Sequence, residues 1–78
     1  MTPQELAALP KGTRIALDLR PDEGYDYGVV TRPGPICYIE WETEIDGVVP
    51  CISIIHTESK VWENFIKEML VPTPNSLV

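Results

Sequence analysis

The longest unbroken alternation in the chain runs from Tyr38 to Ile45. Ile39, Trp41, Thr43 and Ile45 point one way, and Tyr38, Glu40, Glu42 and Glu44 the other, the period of a strand with one buried face. Asp46-Gly47 follows, a dipeptide suited to the positive φ angles of a two-residue hairpin turn. Folding about it joins residues 38–45 to 48–55 and pairs Ile45 with Val48, Thr43 with Pro50, Trp41 with Ile52 and Ile39 with Ile54. In that register Cys37 faces His56 on the core side, while Cys51 faces Glu42 on the outer side. The two cysteines are then expected to stay free thiols, because opposite faces hold their Cβ vectors apart. Pro50 has no N–H for the ladder and points to an edge or a bulge.

Weaker patterns flank this hairpin. Thr2-Pro3-Gln4-Glu5 has the form of a helix start: a hydroxyl cap, Pro at the first helical position and Glu three residues after the cap. Leu6 and Leu9 share a face of this short helix, which ends at Pro10 and Lys11-Gly12. Thr13, Ile15, Leu17 and Leu19 then alternate with polar or small residues as a strand, and residues 20–26 read as a loop. Tyr27 to Thr31 is a second strand in which Gly28 suggests a bulge or a close backbone approach. Arg32-Pro33-Gly34-Pro35 carries the preferences of a type II turn. A helix is expected over 58–70, capped by Thr57 or Ser59, with Val61, Trp62, Phe65, Ile66 and Met69 on its apolar arc. Glu63 and Lys67 stand at the favourable i,i+4 spacing. Residues 71–78, with Pro72 and Pro74, read as an extended tail.

These elements make one domain over 1–78: a β-barrel core at 11–55, a C-terminal helix at 58–70 and a tail. The expected fold class is mainly β (α+β), a small, partly open barrel of four to five strands with two helices. Twelve acidic against six basic residues give a net charge of −6, which argues against direct binding of nucleic acid phosphates. The same charge leaves basic protein surfaces as partners. No apolar run approaches the ~20 residues of a membrane span, and residues 1–10 lack the basic and apolar regions of a secretory signal. A soluble cytoplasmic protein with no membrane partner is the expectation.

Within residues 11–54 the wording resembles small SH3-like barrels of the Tudor and KOW type. Lys11-Gly12-Thr13-Arg14-Ile15-Ala16 is similar to their first strand, Tyr27-Gly28-Val29-Val30 to the second, and Ile39-Glu40-Trp41-Glu42 to the third. The chain departs from that pattern in its long hairpin with Pro50, and in a helix where the family would have a fifth strand. The resemblance covers a little over half of the chain and is a likeness of fold. It implies an aromatic cage for a cationic peptide side chain, built from Tyr25, Tyr27, Tyr38 and Trp41 with Asp26 adding charge. Trp41 also alternates with Ile39 and Ile45, which makes it a core residue on the pattern alone.

Chemistry-bearing residues are few. His56 has no adjacent acid, nucleophile elbow or phosphate loop, so no catalytic residue and no enzyme activity is expected. Cys37, Cys51 and His56 lack zinc spacing, and Asp22, Glu23 and Asp26 match no calcium loop, so no metal or cofactor is expected. Glu40, Glu42 and Glu44 stand out. They share one strand face with successive carboxylates ~7 Å apart, either a solvated face or a docking row for a basic partner. The functional expectation is a non-enzymatic acidic interaction module, an adaptor or regulator. A second reading is an acidic inhibitor covering the basic surface of a nucleic-acid enzyme, as small phage-encoded proteins can. The apolar arc of the C-terminal helix either packs in cis or forms a homodimer contact through Trp62, Phe65 and Met69.

Overall fold

The computed structural model describes residues 1–22, 24–42 and 51–73. Among the described residues, helix α1 (Pro3–Ala8) precedes four strands, β1 (Arg14–Asp18), β2 (Tyr25–Arg32), β3 (Ile36–Trp41) and β4 (Cys51–His56), and helix α2 (Lys60–Met69) leads to a fifth, β5 (Leu70–Pro72). The strands form one antiparallel sheet in the order β4-β3-β2-β1-β5, and the sheet does not close on itself. The fold is therefore mainly β with two short helices. No helix among the described residues is long and apolar enough to cross a membrane.

Local chemistry sets the ends of both helices. Thr2 Oγ1 accepts the Glu5 N–H at 3.0 Å while Glu5 Oε1 accepts the Thr2 N–H at 2.8 Å, a reciprocal cap that satisfies two donors at the start of α1. Ser59, of the two expected candidates, caps α2. Thr57 is buried instead, and its hydroxyl donates to the Pro35 carbonyl at 2.9 Å. Gly34 takes φ 112 between β2 and β3, a left-handed conformation that a Cβ would strain.

Both helices cover the same face of the sheet. Leu6 of α1 and Ile66 of α2 meet Ile15, Val30, Cys37, Ile39, Trp41, Ile55 and Leu70 in one core. Gly28 lies beneath Trp41: a Cβ there would stand 2.6 Å from Trp41 Cε3 and 2.8 Å from Ile39 Cγ2. The close backbone approach expected at this glycine is what lets the indole lie down on the sheet.

The hairpin register differs from the expected one by one residue. Trp41 pairs with Cys51, Ile39 with Ser53, Cys37 with Ile55 and Ile36 with His56. Strand β3 keeps its expected faces, and β4 absorbs the slip. The reason is that residues 51–56 carry isoleucine at both parities, so alternation does not choose between them. The observed register puts Ile55 in the core, and Ser53 Oγ accepts the Trp41 indole N–H at 2.8 Å, which a half-buried indole donor requires. Ile52 and Ile54 consequently point outward and Cys51 inward. Cys37 and Cys51 are free thiols, but they share the inner face. Four residues of strand, ~13 Å, keep them from bridging. The Asp46-Gly47 turn and the pairs Ile45/Val48 and Thr43/Pro50 lie outside the described residues.

Two further expectations are corrected. Strand β2 starts at Tyr25 and ends at Arg32, longer than the expected Tyr27 to Thr31. The C-terminal helix stops at Met69, and Leu70-Val71-Pro72, expected as helix end and tail, form β5 beside β1. Pro72 cannot continue a helix, and the open edge of β1 offers the backbone an alternative ladder. On α2, Ile66 is fully buried and Trp62, Phe65 and Met69 are half-buried, while Val61 is 85% exposed at the edge of the expected arc.

Candidate functional site

The outer face of the sheet, uncovered by either helix, carries most of the residues singled out in the sequence. Tyr25, Tyr27, Tyr38 and Glu40 all lie there by register. Each tyrosine ring is covered by an arginine of the chain itself. The guanidinium carbon of Arg14 is 4.3 Å from the Tyr27 ring centroid, that of Arg20 is 4.9 Å from Tyr25, and that of Arg32 is 5.3 Å from Tyr38. Tyr25 and Tyr27 adjoin, with centroids 6.4 Å apart. Tyr38 stands on the next strand, four or more residues along the ladder, ~13 Å away or further. Trp41 lies on the opposite, helix-covered face with 7% exposure. The set implied by the resemblance is therefore divided between the two faces.

The acidic row is also less uniform than its spacing suggests. Glu42 follows β3 and pairs with Arg14 at 3.1 Å, with both side chains about half exposed. Hydrogen bonding to Glu42 raises the Arg14 guanidinium further above its ordinary value. Glu40 forms no ion pair among the described residues, and Glu44 lies outside them. From Ile52, opposite Glu40, to Ile36 at the start of β3, this face carries three isoleucines around Tyr38. Ile36, Ile52 and Ile54 are 44%, 49% and 45% exposed on the adjacent strands β3 and β4. Among the described strands, β4 ends the sheet, so this apolar patch borders an open edge.

Asp26 belongs to the inner face. It lines a cavity of about 310 Å³ together with Leu17, Trp41, Cys51, Ser53, Trp62 and Phe65. Trp62 and Phe65, one helical step apart on α2, meet edge to face at 5.5 Å. The Asp26 carboxylate accepts the Tyr27 backbone N–H at 2.9 Å. Sequence reasoning passed over this cavity. Its only advance signal was that a 78-residue chain placed two of its six aromatics side by side on a short helix.

His56 is exposed at the far end of β4 opposite Ile36, apart from both sets. Cys37 is buried in the core, and burial pushes its thiol pKa up. No three His, Cys, Asp or Glu side chains among the described residues are grouped to hold a metal ion. Comparison with protein-family models, with curated proteins and with solved structures gives no match to this chain.

Proposed function

We propose that the chain is a non-enzymatic interaction module that docks a basic protein partner along β4 and the outer face beside it. The observation that carries this reading is the exposure of Ile36, Ile52 and Ile54 around Tyr38, with Glu40 at the patch's end, on a sheet face that neither helix covers. Three isoleucines left in water on neighbouring strands are more than folding requires, and such patches mark contact surfaces. The acidic residues supply the sign of the partner. A net charge of −6, with Glu40 at the end of the patch opposite Ile52, favours a basic surface and speeds its approach. The finer likeness to SH3-like barrels of the Tudor and KOW type belongs to this reading too. It is supported by β5, which supplies after α2 the fifth strand that the resemblance calls for.

The test is affinity capture from the native host, followed by binding kinetics with the retained protein. Ile52→Ser with Ile54→Ser is expected to release the partner. Changing Glu40, Glu42 and Glu44 together to Gln is expected to slow association and flatten its salt dependence, with the fold intact. An unchanged rate in the triple variant, or retention unaffected by the isoleucine changes, refutes the reading. Retention of a nuclease or polymerase selects the inhibitor form of the proposal over the adaptor form.

A further inference from the structure

We infer that the outer face of β2, β3 and β4 seats a second copy of this chain, related to the first by a two-fold axis. The inference goes beyond the docking reading above and shares its surface: where that reading holds, the second copy occupies the face until the basic partner displaces it. Register lays the face out in rows. Tyr38 stands between Arg32 on β2 and Ile54 on β4, and Glu40 stands between Val29 and Ile52. Ile36 and His56 make the next row beyond Tyr38. Ile36, Ile52 and Ile54 are all exposed on this face, which lies away from the core that both helices cover.

The charges of the face select the partner. Arg14 and Arg20 each lie over a tyrosine, and each holds a carboxylate, Glu42 at 3.1 Å and Asp18 at 2.8 Å. Arg32 lies over Tyr38 in the same way, but it has no ion pair among the described residues. Glu40, one row along, has none there either, and both side chains are exposed. The face therefore offers one cation and one anion on neighbouring strands, with apolar side chains around them. Two such sheets can stack about an axis along β3 or about one across the strands. The first sets Glu40 on Glu40, like charge on like. The second reverses strand direction. Passing between the Tyr38 and Glu40 rows, it lays Arg32, Tyr38 and Ile54 of each copy on Val29, Glu40 and Ile52 of the other. Stacked sheets lie ~10 Å apart, within the joint reach of an arginine and a glutamate. Arg32 meets Glu40 of the second copy twice over, and the isoleucines leave water. A guanidinium already laid on a ring has less freedom to lose on pairing. The net charge of −6 on each copy repels at long range, so the apolar rows carry the affinity and the two cross-pairs fix the orientation.

Sedimentation equilibrium of the full chain over a range of concentrations tests the inference, and a monomer–dimer equilibrium is expected. Arg32→Glu alone and Glu40→Arg alone should each raise the dimer Kd about tenfold or more, because each sets like charges together. Mixing these two variants should restore a dimer of one copy of each, since both cross-pairs are then of opposite sign. The double variant Arg32→Glu with Glu40→Arg should pair with itself again. Ile54→Ser, checked for native amide dispersion, should abolish the dimer and gives the answer if a charge variant unfolds. A chain that is monomeric at every concentration overturns the inference. So does a dimer indifferent to both reversals, as one formed through α2 would be, or a mixture of folded variants that fails to pair. If the chain stays monomeric while the captured partner still depends on Ile52 and Ile54, the dimer is refuted and the docking reading stands. If the mixed variants pair while no basic protein is retained, the dimer stands and the docking reading falls.

Discussion

Asp18 and Arg20, two residues apart at the end of β1, show how tightly one side chain can be held at a surface. Arg20 donates to the Asp18 carboxylate from Nη2 at 2.8 Å and Nε at 3.0 Å, and its backbone N–H adds a third bond at 3.0 Å. The side-chain bonds first, then the backbone bond, lower the Asp18 pKa from 3.8 to about 2. A depressed folded value means a stabilising contribution that is complete above the unfolded pKa and lost as pH falls toward about 2. Carboxyl titration by NMR should place the Asp18 midpoint near that value, and Arg20→Ala should raise it while the retained backbone N–H still holds it below the ordinary range. Solvent screening keeps the effect on overall stability small. Gly28 is the opposite case, a residue with no side chain on which much depends. A methyl group there meets the Trp41 ring at 2.6 Å, so Gly28→Ala must displace the indole from its bond to Ser53. Denaturant unfolding is expected to register a loss of ~1–3 kcal/mol, the usual cost of overpacking.

Elements differ in how plainly the sequence announces them. Helix α1 was legible in full, because Thr2, Pro3 and Glu5 are each tied to one place in a helix start. The faces of β1 and β3 were legible from alternation alone. The register of β4 was not, since Ile52, Ile54 and Ile55 offer apolar residues at both parities and the choice fell to an indole hydrogen bond across strands. Strand β5 is three residues long, too short for any period to show. The site divides the same way. Tyr38 and Glu40 were assigned to the correct face, whereas the cavity gathers one or two residues from each of β1, β2, β3, β4 and α2, a conjunction no local pattern records. Helix α2 supplies a test of how it is seated. Ile66→Ala removes a fully buried side chain and should cost ~2–5 kcal/mol. Val61→Ala, at 85% exposure, should change stability by no more than about 0.5 kcal/mol. Melting curves that reversed this order would mean that the helix is rotated on the sheet.

On the scale of the whole molecule, and among the described residues, the sheet separates two kinds of surface: a helix-covered face with the core and the cavity, and a face that neither helix covers, with isoleucines and paired arginines and tyrosines. Strands β1, β2 and β3 have neighbours on both sides, and β4 and β5 end the order. Amide hydrogen exchange should be slowest in β1 and β2 and fastest along the outer edge of β4, where backbone groups face away from the ladder. Uniform protection across the five strands would show that this edge is covered. The placement of β5 also bears on events before the fold exists. Leu17 pairs with Leu70, and Ile15 with Pro72, so the second edge of β1 waits for a segment more than fifty residues later in synthesis. The meander of β1, β2 and β3 can form while the chain is still being made, but β1 then presents a raw edge on the ribosome. Pairings so distant along the chain form late and slowly. A nascent chain halted before residue 70 should therefore attract chaperones, or foreign strands, at an edge that the finished protein does not show.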